Sequence, residues 1–271
     1  MATLYPSQEL TMNWSAAEWS EADNNAKNHA APVDGDAVVF TANSSAAITL
    51  DADQIDIELA SFDMTGYAGT FAMGEDDLDV DGPVTLDGTI TASTGGRIYC
   101  DTHFIKTAGM TALPSVLYIV LDGTGNVTCN SVTGGFLAVN TAATHTLADD
   151  GYFSGYWQNA GTLVGTGYTL YVNGAVYRSG GTVTNVTVEQ TGTSNLGPFG
   201  VSPLLEYRAD ASAVITLIGD VQANKVTLAA GSSVSGDFAF YIYLPTASNF
   251  LDMAGTVGNT FDVQIYGSYL P

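Results

Sequence analysis

Basic residues are scarce in this sequence. Its 271 residues include six Lys and Arg but 28 Asp and Glu, so the formal net charge at pH 7 is −22. A surface with this charge repels phosphate groups and anionic lipid headgroups. We therefore expect no nucleic-acid partner and no membrane partner.

Long apolar runs and cysteines are scarce as well. No uninterrupted apolar run approaches the ~20 residues of a transmembrane helix, and residues 1–6 lack the basic region and apolar stretch of a secretory signal peptide. Cys100 and Cys129 are the only cysteines. In a chain without an export signal we expect two reduced, buried thiols, although the sequence leaves a Cys100–Cys129 disulfide open.

Motifs of catalysis and metal binding are missing too. His29, His103 and His145 stand alone, and the sequence contains no Cys-x-x-Cys or His-x-x-x-His pair for zinc. It also contains no Gly-x-Ser-x-Gly nucleophile motif and no phosphate-binding loop. We expect no enzymatic activity and no cofactor.

Short β-type runs are abundant instead. Hydrophobic residues make up 46% of the chain, and runs such as 47–50 (AITL), 169–172 (TLYV) and 225–228 (KVTL) alternate with Gly, Asn, Asp and Ser. No 3.6-residue periodicity separates these runs, so crossover helices are not expected. The pattern predicts an all-β fold.

An internal repeat narrows the architecture. Residues 69–71 (GTF) and 78–82 (LDVDG) recur as residues 161–163 (GTL) and 170–174 (LYVNG), each 92 residues further along. Such units cannot bury an apolar face alone and stack on their neighbours. We predict a right-handed parallel β-helix, or β-solenoid, with an N-terminal cap. An antiparallel β-sandwich or jelly roll is the alternative, since it uses similar short strands.

Two glycines of this repeat mark the corners between strands. Gly82 and Gly174 each follow a strand-like run. We expect them there because glycine reaches backbone conformations that other residues avoid.

The predicted solenoid occupies the middle of the chain. Residues 1–35, with Trp14 and Trp19, read as an N-terminal cap or attachment segment that could include a short helix. Residues 36–190 read as the β-solenoid. Residues 191–271 read as a C-terminal β region that serves as a cap or an oligomer contact. The aromatic residues of that last region are Phe238, Phe240, Tyr241, Tyr243, Phe250, Phe261, Tyr266 and Tyr269.

The densest group of carboxylates is a weak candidate for a calcium site. Asp77, Asp79 and Asp81 alternate with Leu78 and Val80, so in a strand the three acids share one face. Several oxygens in one place suit Ca²⁺. The competing interpretation is a strand face in contact with water.

A second candidate site would act on carbohydrate. Asp149 and Asp150 form an acidic pair close to three aromatic residues, Tyr152, Tyr156 and Trp157. Paired carboxylates hydrolyse glycosides, and aromatic rings stack on sugars. The competing interpretation is an acidic turn followed by an apolar strand.

Two stretches of the chain carry a resemblance. Trp14 and Trp19 followed by residues 32–40 (PVDGDAVVF), together with residues 62–74 (FDMTGYAGTFAMG), resemble β-helical virion structural proteins of tailed bacteriophages. The resemblance implies a homotrimeric capsid decoration (cement) protein, a head fibre or a tail component. Its partner would be the major capsid protein or another virion protein, and it would join the virion after assembly in the host cytoplasm. The alternatives are a tailspike- or fibre-like β-helix that binds or cleaves glycans, and a piece of a bacterial adhesin.

Overall fold

The chain folds almost entirely into short β-strands. The computed structural model describes residues 1–6, 8, 11–23, 27–44, 47–52, 54–93, 95–243, 251–258 and 262–266, with the backbone alone at 55, 199–202 and 266. These described residues form 34 strands and no helix. None of their segments is therefore a helix of the length and apolarity needed to cross a membrane.

The chain divides into two compact units, Met1–Phe136 and Leu137–Pro271. The strands that begin in the first unit are β1 (Thr3–Pro6), β2 (Thr11–Asn13), β3 (Trp19–Ser20), β4 (Ala37–Val39), β5 (Ala47–Thr49), β6 (Gln54–Leu59), β7 (Ser61–Asp63), β8 (Thr70–Gly74), β9 (Asp77–Val80), β10 (Val84–Leu86), β11 (Thr89–Ala92), β12 (Arg97–Cys100), β13 (Phe104–Lys106), β14 (Leu113–Leu121), β15 (Gly125–Thr128) and β16 (Gly134–Val139).

The first unit is a parallel β-solenoid. Its strands fall into three sheets, with the orders β3-β1-β4-β7-β10-β13-β15, β2-β5-β8-β11 and β6-β9-β12-β14-β16. Successive strands of a sheet are parallel and come from successive coils of the chain, for example β4, β7 and β10. This parallel pairing confirms the predicted parallel β-helix. The antiparallel sandwich alternative is wrong.

Strict register stacks the core of this unit into columns. Residues at one position of successive coils lie opposite each other, and each is completely buried. One such column is Leu4, Val38, Phe62, Val84, Phe104 and Val127. Removing a buried aromatic side chain such as that of Phe62 costs about 3–5 kcal/mol.

A layer of aromatic residues lies at the N-terminal end of the first unit. Trp14 and Trp19 are buried and meet edge to face, with ring centroids 5.0 Å apart. The indole N–H of Trp19 donates to the Trp14 carbonyl (3.0 Å). Strand β3, which contains Trp19, pairs antiparallel with β1 and so covers the edge of that sheet. The described residues of this segment form strands and turns, not the short helix that was one interpretation.

The strands of the second unit are β17 (Thr144–Leu147), β18 (Gly151–Phe153), β19 (Gly155–Gln158), β20 (Thr162–Val164), β21 (Thr169–Val172), β22 (Val176–Arg178), β23 (Thr182–Thr184), β24 (Thr187–Gln190), β25 (Thr193–Leu204), β26 (Glu206–Ala209), β27 (Val214–Leu217), β28 (Val221–Ala223), β29 (Val226–Leu228), β30 (Ser233–Ser235), β31 (Ala239–Tyr243), β32 (Leu251–Met253), β33 (Thr256–Val257) and β34 (Asp262–Tyr266).

The second unit is also a parallel β-solenoid. Its sheets have the orders β17-β20-β23, β18-β21-β24-β26-β29-β32 and β19-β22-β25-β27-β30-β33, and β28, β31 and β34 continue from the long strand β25. Parallel pairing runs through position 190, where the sequence predicts a boundary, since β24 pairs with β26 and β25 with β27. Residues after 190 therefore continue the coils of this unit.

The aromatic residues near the C-terminus have different environments. Phe240 is completely buried and Tyr243 is 8% exposed, whereas Phe238 is 41% exposed. Phe250, Phe261 and Tyr269 lie outside the described residues, and so does the side chain of Tyr266.

One buried amide joins neighbouring strands of the second unit. The Gln190 side chain is fully buried, and its Nε2 donates to the carbonyls of Gly174 (3.0 Å) and Asn195 (3.2 Å) and to Ser194 Oγ (3.0 Å). Its Oε1 accepts the Tyr207 hydroxyl (2.9 Å). These bonds compensate for the desolvation of the amide and fix the path of the chain at this corner.

The two repeat glycines are required for a reason other than the expected one. Neither Gly82 nor Gly174 has a positive φ. Instead, a Cβ on Gly82 would lie 1.8 Å from the Ala60 carbonyl oxygen, and one on Gly174 would lie 2.2 Å from that of Ser154. Close approach of the preceding coil, and not backbone conformation, explains glycine at these corners.

Candidate functional site

The outer face of the sheet β18-β21-β24-β26-β29-β32 carries the richest set of functional side chains in the second unit. Because its strands are parallel and in register, one outward position recurs every 18 or 19 residues. That position is occupied in turn by Tyr152, Tyr171, Glu189, Arg208, Thr227 and Asp252. We refer to these six residues as the outer column.

Two tyrosines begin the outer column. The rings of Tyr152 and Tyr171 are stacked, with centroids 4.8 Å apart and planes within 8°. Burial raises the pKa of Tyr171, and the nearby Glu189 and Asp150 raise it further. Its phenol therefore stays neutral at physiological pH and can both donate and accept hydrogen bonds.

An ion-pair network follows the tyrosines. Glu206 accepts hydrogen bonds from Arg208 (2.8 Å), from Thr227 Oγ1 (2.7 Å) and, as an ion pair, from Lys225 (2.9 Å). Burial alone would raise the pKa of Glu206, but these donors outweigh it and hold the pKa at about 2. Glu206 is therefore a permanent carboxylate near neutral pH and cannot act there as a proton donor.

Arg208 is shared unequally between two acids. Its guanidinium lies 2.8 Å from Glu206 but 3.7 Å from Glu189. Burial raises the pKa of Glu189, and the more distant Arg208 does not offset this. Arg208 and Lys225 are two of only six basic residues in the chain. The network is therefore close to charge balance on an otherwise acidic protein, which suits an interaction surface more than a reaction centre.

The predicted carbohydrate site is not assembled. Tyr156 is completely buried, and its hydroxyl donates to Gln158 Oε1 (2.7 Å). Trp157 lies on β19 of a different sheet, opposite Tyr177. Only Asp150 and Tyr152 remain beside the outer column, where the Asp150 carboxylate accepts the Thr169 N–H (2.8 Å). Asp149 precedes them in the turn before β18.

Sequence reasoning missed the other members of this surface. Tyr171, Glu189, Glu206 and Arg208 are separated from Tyr152 by up to three coils, and nothing in their immediate neighbours marks them. The spacing of 18 or 19 residues from Tyr152 to Tyr171, Glu189 and Arg208 is the signal that could have found them.

The predicted calcium site is not assembled either. Asp77 is nearly buried and lies 3.3 Å from the Arg97 guanidinium, while Asp81 is exposed beyond the end of β9. Within the described part of the chain, no three or more His, Cys, Asp or Glu side chains are grouped to hold a metal ion. The predicted alternation does hold for Leu78 and Val80, which are both fully buried.

Asp79 instead belongs to a group of acids on the first unit. We define the acidic column as Glu58, Asp79, Asp81, Asp101 and Asp122. The last three of these follow stacked strands, because the N–H groups of Asp81, Asp101 and Asp122 donate to carbonyls of the preceding coil. Burial and then the neighbouring carboxylates raise the pKa of Asp79 to about 6. Burial also raises the pKa values of Asp101 and Asp122.

The two cysteines carry no reactive thiol. Cys100 and Cys129 are free and completely buried, as expected. Burial raises the pKa of Cys100 to about 12, so its thiolate is not populated at neutral pH.

Comparisons of the chain with protein-family models, with curated proteins and with solved structures find no match. The functional argument therefore rests on the fold and on the surfaces described above.

Proposed function

We propose that this chain is a non-enzymatic structural protein of a tailed-phage virion, most directly a capsid decoration (cement) protein bound to the head surface. The observation that carries the proposal is the in-register stacking of coils in each unit, with buried columns such as the one through Phe62. Such a wall saturates its backbone hydrogen bonds coil by coil and resists deformation. A protein that reinforces a shell needs these properties.

The proposal includes a partner and an assembly state. The partner is the major capsid protein or another virion protein, and the chain acts as a homotrimer. Residues 32–40 and 62–74 support this through their resemblance to virion proteins. The charge-balanced network around Arg208 supports it because interfaces favour locally neutral polar surfaces over unpaired charge.

Adding the purified protein to capsids that lack it tests the proposal. We expect saturable binding, and a rise in the temperature at which the capsids admit a DNA-binding dye, because a ligand of the intact shell stabilises it. Capsids of an unrelated phage serve as the control and should not bind. Absence of saturable binding, or binding without any gain in capsid stability, would reject the decoration role.

A further inference from the structure

A cleft of about 570 Å³ opens on the second unit beside strands β28 and β31. Its lining includes Ile218, Phe238, Tyr241 and Tyr243 on the apolar side, and Asp220 and Gln222 on the polar side. This volume lies within the range of small-molecule sites, which extends from about 300 to 1,000 Å³.

The cleft concentrates exposed apolar surface. Phe238 is 41% exposed and Ile218 is 42% exposed, although most large apolar side chains of the described chain are buried. Tyr241 is half-buried on the outward side of β31. Apolar and aromatic groups gathered in one concavity mark a binding site more often than scattered exposed residues do.

The polar groups of the cleft are held in place by the same strands. The Ala239 N–H donates to Asp220 Oδ1 (3.0 Å), which fixes the carboxylate beside the strand that carries Tyr241. Gln222 lies directly opposite Tyr241 in the parallel register of β28 and β31. A carboxylate and an amide together offer acceptors and donors next to aromatic rings.

One wall of the cleft admits no side chain. A Cβ on Gly219 would lie 2.7 Å from Cβ of Pro198, and a Cβ on Gly197 would lie 2.8 Å from backbone atoms of Gly219. The two segments are therefore in direct contact, and the wall is closely packed. This packing makes the concavity a fixed feature of the fold.

The chemistry of the lining selects a class of ligand. A pyranose ring has an apolar C–H face that stacks on aromatic rings, and its hydroxyl groups both donate and accept hydrogen bonds. The ionisable acid of the lining, Asp220, stands on a chain of net charge −22, and no Lys or Arg lines the cleft. Sugars that carry a carboxylate would therefore be repelled.

We propose that this cleft binds a neutral hexopyranose unit of an oligosaccharide, stacked against Phe238 and Tyr241 and hydrogen-bonded by Gln222 and Asp220. This surface is distinct from the outer column. The inference does not depend on the virion proposal, because sugar binding and capsid binding are measured separately.

Isothermal titration of the full chain with defined trisaccharides tests the inference. The neutral probes are cellotriose, maltotriose, mannotriose and the N-acetylglucosamine trimer, and the acidic probes are sialyllactose and trigalacturonate. We expect at least one neutral probe to bind with a Kd below about 1 mM, which is ordinary for a single small site. We expect the acidic probes not to bind.

Variants locate the binding. Phe238→Ala and Gln222→Ala should each weaken the neutral probe about tenfold or more, whereas Tyr177→Ala, at a tyrosine 36% exposed elsewhere on the unit, should leave it unchanged. Asp220→Asn keeps an oxygen for the Ala239 N–H but removes the charge, so it should reduce discrimination against the acidic probes. Thermal melting of each variant checks that it is folded.

Three results would overturn the inference. These are no binding of any neutral probe up to about 10 mM, preference for an acidic probe, and equal binding by the wild type and the folded Gln222→Ala and Phe238→Ala variants. Ten millimolar corresponds to less than about 3 kcal/mol, too weak for a dedicated site.

Discussion

Replacing Asp79 by Asn should stabilise the first unit at pH 7. In the wild type this carboxylate is partly buried and faces the other members of the acidic column, so its pKa of about 6 exceeds the ordinary 3.8 by about two units. At about 1.4 kcal/mol per unit the upper limit is about 3 kcal/mol. Because Asp79 is partly exposed, solvent screening reduces the expected gain to about 1 kcal/mol.

The effect has a defined dependence on pH. The folded state binds the Asp79 proton more tightly than the unfolded state, so wild-type stability falls as the pH rises from about 4 to about 6. Asn carries no charge at any of these pH values. The difference in unfolding free energy between the variant and the wild type should therefore be near zero at pH 4 and reach its full size above pH 6.

Urea unfolding of both proteins at several pH values measures this difference. Asp56→Asn is the matched control, since Asp56 is an exposed acid on β6 of the same unit, and it should change stability by less than about 0.5 kcal/mol. The reasoning is refuted if Asp79→Asn is destabilising at pH 7, if its effect does not change between pH 4 and pH 7, or if the control behaves identically.

Three further outcomes follow from the packing and the proposed assembly. Gly82→Ala should lower the unfolding free energy by more than about 3 kcal/mol, because its Cβ would overlap the Ala60 carbonyl, whereas Gly35→Ala, which meets nothing within 4 Å at φ +78°, should cost about 1 kcal/mol; similar costs in urea unfolding would contradict this. Gln190→Leu should cost about 3 kcal/mol in the same assay, since it leaves buried hydrogen-bonding groups unsatisfied, among them the Tyr207 hydroxyl, and a loss below about 1 kcal/mol would count against it. Light scattering after gel filtration should give three times the chain mass of 28.2 kDa, and a monomer at micromolar concentration would argue against the trimer.

The architecture could be predicted because the repeat is written in local chemistry. Leu78 and Leu170 lie 92 residues apart within matching strand-like runs, and Leu78 and Val80 alternate with acids, as expected of a strand with one buried face. Both properties depend on residues close in sequence. They identify stacked short strands without any knowledge of register.

The functional surface could not be predicted in the same way, because it depends on register and on corners. Tyr152 and Tyr156 look like neighbours in the sequence, yet the chain turns at Ser154, so β18 and β19 belong to different sheets and Tyr156 enters the core. Conversely, Tyr152 and Arg208 share a column only because each intervening coil has the same length. A one-residue corner leaves little trace in composition or pattern.

Counting copies of the chain in purified particles, by quantitative mass spectrometry against the major capsid protein, tests the proposed role most directly. The proposal predicts many copies per particle, in a fixed ratio to the major capsid protein that is set by the symmetry of the head. Absence from the particles, or presence in only a few copies, would contradict it.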